Sequence, residues 1–146
     1  MYTDCYCTQF RRASNALTRI YDSALSPVGL RITQFSLLRS LGRLGMANTT
    51  QLAAESALDR TTISRNVKLL IESGWVDVEE AKGDKRERVL TLNKAGKQKI
   101  ADAMPFFLAA QQTVEKGTEK SLLSPSNDRL LLALEKIQEA AASTLD

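Results

Sequence analysis

Asp59-Arg60-Thr61-Thr62-Ile63-Ser64-Arg65-Asn66-Val67-Lys68-Leu69-Leu70-Ile71-Glu72-Ser73-Gly74-Trp75-Val76 is the stretch whose reading decides the fold. Asp59 is a good N-cap residue, and Gly74 stands where a terminating glycine belongs, so the segment between them is predicted to be a helix. At about 100° per residue, Ile63, Val67, Leu70 and Ile71 share one face. Thr61, Arg65 and Lys68 lie opposite, with Ser64 on one flank and Thr62 and Asn66 on the other. One face is core. The other carries hydroxyls and amides able to approach base edges, and cations able to reach phosphate or guanine. Such a helix suits a DNA major groove. An ordinary surface helix with a solvated face has the same pattern, so the neighbouring segments decide between them.

Upstream, a short helix is expected from about Thr49 to Ser56, with Leu52, Ala53 and Ala57 small or apolar for close packing. Ala57-Leu58-Asp59 then leads into the quoted helix, which gives a helix-turn-helix. Downstream the period changes. Trp75, Val76 and Val78 precede a charged, glycine-containing loop, and Glu87-Arg88-Val89-Leu90-Thr91-Leu92 alternates as a strand does. A β-hairpin attached to a helix-turn-helix is a wing. Its tip carries Lys82, Lys85, Arg86 and Arg88; by itself this reads equally as a solvated hairpin.

Further out the chain is helical. Asp4 to Leu25 carries the stripe Phe10, Ala13, Leu17, Ile20, Tyr21 and Ala24, and Ser26-Pro27-Val28-Gly29 breaks it. A second helix is expected from about Thr33, as cap, to Leu44, with Phe35, Leu37, Leu38 and Leu41 inward; Gly45 to Asn48 reads as a turn. Asn93 caps a later helix with Ile100, Met104, Phe107, Leu108 and Val114 inward, which Pro105 should kink or break. Ser124-Pro125 starts a last helix with the stripe Leu130, Leu131, Leu134, Ile137 and Ala141. A winged unit of some 45 residues cannot cover both terminal stripes. They are expected to pack on each other and on a second copy, and a twofold dimer then presents its reading helices about 34 Å apart.

Composition sets the outer bounds. A chain of 146 residues with 43% hydrophobic residues is expected to be a single domain with a real core. No run approaches the roughly 20 apolar residues of a membrane span, and Met1-Tyr2-Thr3-Asp4 lacks a leader's basic start, so a cytoplasmic protein without a membrane partner is expected. The net charge is +3, yet residues 1–47 hold +4, residues 48–92 hold −1 and residues 93–146 hold 0. Any positive contact to DNA is therefore focused on a few points. The chain has no His and two Cys, which leaves no four-ligand zinc site and removes the commonest general base. With no glycine-rich phosphate loop and no nucleophile beside a base, neither an enzyme nor a metal or other cofactor is expected.

In element order and spacing, from about residue 5 to 146, the sequence resembles the MarR family of bacterial transcriptional regulators. The resemblance rests on Leu58-Asp59-Arg60-Thr61-Thr62-Ile63-Ser64-Arg65-Asn66, Glu72-Ser73-Gly74-Trp75-Val76, Gly83-Asp84-Lys85-Arg86 and Leu90-Thr91-Leu92-Asn93-Lys94-Ala95-Gly96. It implies a mainly α fold with a small β-hairpin wing. Residues 33–99 would form the winged helix-turn-helix lobe, and residues 1–32 and 100–146 the dimerisation helices. It further implies a homodimeric repressor bound to a palindromic operator in double-stranded DNA. Arg60, Thr61, Thr62, Ser64, Arg65 and Asn66 would face bases or phosphates, and Lys68, Lys85 and Arg88 phosphates. Arg86 would enter the minor groove, with Asp84 anchoring the wing. Trp75 replaces a Leu common in the family and reads as core at the helix–strand junction.

The same resemblance implies release of DNA on binding a small, often phenolic or aromatic carboxylate, effector between the dimerisation helices and the lobe. Phe10, Arg11, Leu17, Gln34, Phe35 and Leu38 are the candidate lining, with Arg11 either pairing with a carboxylate or lying on a solvated face. A thiol switch is the alternative. By its distance to Tyr21, Cys7 resembles the reactive cysteine of the family's peroxide-sensing branch, but that branch's Tyr-Pro-Gln-Tyr is replaced by Ile32-Thr33-Gln34-Phe35, without either hydroxyl. Cys7 otherwise reads as a small buried hydrophobe. If one helix holds both Cys5 and Cys7, their side chains diverge by roughly 160°, which disfavours a bond between them. The −1 balance of residues 48–92 also keeps open a winged helix that binds protein instead of DNA.

Overall fold

A computed structural model describes residues 4–80, 83, 88–118 and 128–145. The chain forms two compact units, residues 1–107 and 108–146. Its elements are α1 (Tyr6–Leu25), a 3₁₀ turn (Ser26–Val28), α2 (Ile32–Leu44), β1 (Met46–Ala47), α3 (Thr49–Ser56), α4 (Arg60–Glu72), β2 (Val76–Glu80), β3 (Arg88–Leu92), α5 (Lys94–Gly117) and α6 (Asp128–Leu145). The fold is mainly helical with one small antiparallel sheet in the order β1-β3-β2. Among the described residues no helix is long and apolar enough to cross a membrane.

Local chemistry explains the boundaries. The break after α1 is closed by Gly29 at φ +68°. The cap of α2 is Arg31, two residues before the expected Thr33, because two other side chains hold the first turn: Asp22 Oδ1 accepts from the Ile32 N–H at 2.7 Å, and Gln34 Oε1 accepts from the Arg31 N–H at 3.0 Å. Asn48 and Gln51 cap α3 reciprocally, the Gln51 N–H donating to Asn48 Oδ1 and the Asn48 N–H to Gln51 Oε1. At the α3–α4 turn Ala57 takes the left-handed conformation, φ +52°, which an L-residue adopts at a cost. Asn93 caps α5, its Oδ1 accepting from the Gly96 N–H. The structure assigns α5 as one helix through Pro105, without the expected break.

The turn expected at Gly45 to Asn48 contains a strand. Met46 pairs with Thr91 and Ala47 with Leu90, so β1 extends the hairpin to three strands and ties the end of α2 to β3. Within residues 1–107 one core runs through all these elements: Phe35, Leu38 and Leu41 from α2, Leu52 from α3, Ile63, Val67 and Leu70 from α4, Val76 and Leu90 from the sheet and Ala103 from α5. Ile63 and Leu70, on the inward face of α4, are 1% and 2% exposed. That burial fixes which side of α4 faces out.

Candidate nucleic-acid interface

Asp59 starts α4 as predicted. Its Oδ1 accepts from the Thr62 N–H at 2.9 Å, and its Oδ2 accepts from the Thr62 hydroxyl at 2.5 Å. These bonds, the hydroxyl first, hold the Asp59 carboxyl below its ordinary value of 3.8. One turn on, Asn66 Nδ2 donates to the Thr62 carbonyl at 2.8 Å. Thr62 and Asn66, both half-buried, therefore each spend one side-chain donor inside the first turns of the helix.

The exposed face is narrower than the seven α4 residues read from sequence. Arg60, Thr61, Ser64, Arg65 and Lys68 are exposed and line one shallow, open depression along α4. Lys68 Nζ lies 3.7 Å from Glu72 Oε1, with both groups largely in solvent. A pair of that kind is worth little and yields easily to phosphate. On the wing, β2 and β3 pair from Val76↔Leu92 to Glu80↔Arg88, which puts exposed Arg88 at the tip end of the ladder. Asp84, Lys85 and Arg86, with Lys82, lie outside the described residues.

The six candidate effector residues do not converge. Phe35 and Leu38 are fully buried, while Phe10 and Leu17 are 41% and 39% exposed. Gln34 spends its carbonyl oxygen on the start of α2, and Arg11 Nη2 donates to Cys7 Sγ at 3.4 Å. The cavity near them, about 330 Å³, takes only Phe35 from that set and is otherwise bounded by Thr33, Ser36, Arg39, Ser40, Arg43, Glu55, Ser56 and Phe107, among others. Sequence reading missed Arg39. Its guanidinium lies over two rings, 5.8 Å from the Phe35 centroid and 5.2 Å from that of Phe107, and Phe107 stacks on Tyr21. Arg43 Nη2 reaches Glu55 Oε1 at 2.8 Å and Ser40 Oγ at 3.0 Å. The signal was Phe35, Arg39 and Arg43 recurring every four residues along one side of α2.

In the single chain Cys7 is exposed, and Cys5 is exposed as well. Cys5 is the extended residue before α1, so the helical angle between the two thiols does not apply to them. The Cys5 thiol sits below its ordinary value of 9.0, first through a hydrogen bond with the Thr8 side chain and then with the Thr8 backbone.

Residues 30–88, the span from the turn before α2 to the wing, match the model of the MarR family. Over nearly its whole length the chain also superposes on the M. tuberculosis transcriptional regulator MosR in complex with DNA, with a TM-score of 0.80, 29% identity, and coverage of 97% of this chain and 98% of that one. Across residues 30–88 the chain is similar to the MarR family of regulators. It is also similar to the HTH-type transcriptional regulator YwoH of Bacillus subtilis (strain 168), 28% identical over 94 residues, which is 64% of this chain and 68% of the relative. The Bordetella bronchiseptica regulator BpsR, whose DNA binding is regulated by 6-hydroxynicotinic acid, shares the fold at a TM-score of 0.78 and 19% identity, covering 95% of this chain and 96% of its own. The span matched by the family holds α2, β1, α3, α4 and β2 and reaches the first residue of β3.

Proposed function

We propose that this chain is a MarR-type, sequence-specific DNA-binding transcriptional regulator that works as a homodimeric repressor of a palindromic operator. One observation carries the reading: Arg60, Thr61, Ser64, Arg65 and Lys68 form an exposed, cation-bearing face on a helix whose other side is locked in the core. Arg65 and Arg60 supply charge and bidentate donors, and Thr61 and Ser64 supply short polar groups. Lys68 and Arg88 meet phosphates, as would Lys85. Arg86 would enter the minor groove, with Asp84 anchoring the wing. Thr62 and Asn66 contribute chiefly by shaping the helix. The likeness to MosR in its DNA complex supports this reading. A mobility shift with the duplex upstream of its own gene tests it: the wild type shifts the band at low salt, and Arg65→Ala does not. A wild type that gives no specific shift ends the reading.

Residues 1–32 and 100–146 serve dimerisation in this proposal, and residues 33–99 read DNA. On α1 and α6, Phe10, Leu17, Leu131, Leu132 and Ile137 are exposed in the single chain, and a second copy covers them. The effector is a small aromatic anion held in the Arg39 cavity, its ring against Phe35 and Phe107 and its charge toward Arg39 and Arg43. It releases DNA by favouring one arrangement of the lobes over the other. A thermal-shift screen of aromatic carboxylates, followed by operator release, tests this; a hit that stabilises Arg39→Ala as well as wild type refutes the site. A second reading has support from the exposed thiols, Cys7 bonded to Arg11 and Cys5 with its lowered pKa: oxidation triggers release. That reading is lost if Cys7→Ser responds to peroxide as wild type does.

A further inference from the structure

Asn93 stands where three elements meet. Helix α4 closes with the Gly74 N–H donating to the Ile71 carbonyl at 2.9 Å and the Trp75 N–H to the Leu70 carbonyl at 3.2 Å, with Gly74 at φ +75°. Asn93 Nδ2 donates to the carbonyl of that same Gly74 at 2.9 Å, and also to Asp77 Oδ1 on β2 at 2.9 Å. Its Oδ1 accepts from the Gly96 N–H in the first turn of α5 at 2.9 Å, and its own N–H donates to the Trp75 carbonyl at 3.3 Å. Gly96 makes the contact closer still. A Cβ there would lie 2.2 Å from the Trp75 carbonyl oxygen, so α5 begins directly against the backbone that leaves α4. Lys99 Nζ, one turn further, lies 4.9 Å over the Trp75 ring.

A helix cap needs only the acceptor, and Ser, Thr or Asp serves as well as Asn. The two donors of Asn93 have a different job. We propose that Asn93 is a positioning residue that keys α4, and with it the DNA-reading face, to the start of α5. A displacement of α5 then turns α4 with it instead of being absorbed in the connecting turns. The inference rests on the DNA-reading role of α4 and adds to it the joint through which that role is controlled.

Asn93→Asp separates the two jobs. It keeps the cap and adds a charge that the helix N-terminus favours, but it cannot donate to Gly74 or Asp77. In Asp77→Asn the residue at 77 still accepts from Asn93. In the double variant the amide at 77 donates to the carboxylate at 93, which restores the link to β2. The probe is a duplex selected by the wild-type protein from a randomised pool, with thermal melting and the emission of Trp75, the chain's one tryptophan, read in parallel. Asn93→Asp is expected to bind about tenfold more weakly with its melting little changed, Asp77→Asn to stay within about twofold of wild type, and the double variant to regain only part of the loss, because the Gly74 carbonyl still lacks its donor. Binding by Asn93→Asp within about twofold of wild type overturns the proposal, as does a double variant that regains the whole loss while the bond to Gly74 is still missing. If Asn93→Asp does not fold, Asp77→Ala removes the β2 arm alone: about threefold weaker binding supports the joint and unchanged binding overturns it. A wild type that selects no duplex defeats the DNA reading instead. Trp75 emission then decides the joint: a shift in Asn93→Asp that reverts only in part in the double variant supports it, and no shift overturns it.

Discussion

The winged lobe and the terminal helices carry the same kind of apolar stripe and come out differently. In the lobe the stripe is consumed: Leu38 is 0%, Ile63 1% and Leu70 2% exposed. On α1 and α6 the stripe stays open, with Leu17 39%, Leu131 56% and Ile137 51% exposed. Helical periodicity announces that a face will be covered and says nothing of what covers it. Where α2, α3, α4 and the sheet follow one another closely, the cover is local. Where the stripes sit at opposite ends of the sequence, a second copy of the chain is the proposed cover.

The hardest blow to the comparison is Leu38→Ala. In a core this closed it should cost about 2–5 kcal/mol, read by urea unfolding followed at Trp75; a loss under about 1 kcal/mol would show that the lobe is no better packed than the terminal helices. Leu131→Glu with Ile137→Glu attacks the other side. The pair is expected to weaken self-association about a hundredfold, some 3 kcal/mol, by sedimentation, while Trp75 emission stays as in wild type. An unchanged dimer would mean that α6 is not the interface. Arg65→Ala should cost about 1–3 kcal/mol of operator binding and leave the unfolding midpoint unmoved, since the outer face of α4 contributes nothing to the core.

Smaller changes sharpen the picture within the lobe. Ala57→Gly relieves the left-handed turn between α3 and α4 and should raise stability by about 1 kcal/mol; a loss would show that the Ala57 methyl group contributes packing. The pH dependence of Asp59 is the slightest effect. Its carboxyl is held below the ordinary value of 3.8 by Thr62, so its contribution is full above that pH and fades as the pH falls below it. Thr62→Val should flatten that part of the acid limb of a stability–pH curve, and an unaltered limb would show that the bond with Asp59 does not reach stability.

Most of the lobe was legible because each element announces itself twice, by period and by punctuation. Asp59 and Gly74 bracket α4 and its inward residues agree with them. Strand β1 was illegible for a physical reason: two residues cannot show an alternation, and the pairing of Met46 with Thr91 is decided 45 positions away. The division of labour on α4 was equally hidden. Thr62 and Asn66 are as short and polar as Thr61 and Ser64, and only the folded structure shows which of them turn back on the helix. Arg39 escaped notice because a cation beside buried leucines reads as the solvated flank of α2 until Phe107, 68 residues later, is seen beneath it.

The length of its exposed face limits how much information α4 can extract. Its free face from Thr61 to Lys68 rises about 10 Å along the helix axis, the length of about three base pairs at 3.4 Å each. At about two bits per fully distinguished pair, one helix reads about six bits, and a twofold copy brings the operator to about twelve. Finding one address among about 10⁶ competitors takes about twenty bits. On the proposed function the shortfall falls to the wing and to the shape of the duplex between half-sites, so much of the operator's identity would lie in positions that no side chain of α4 touches.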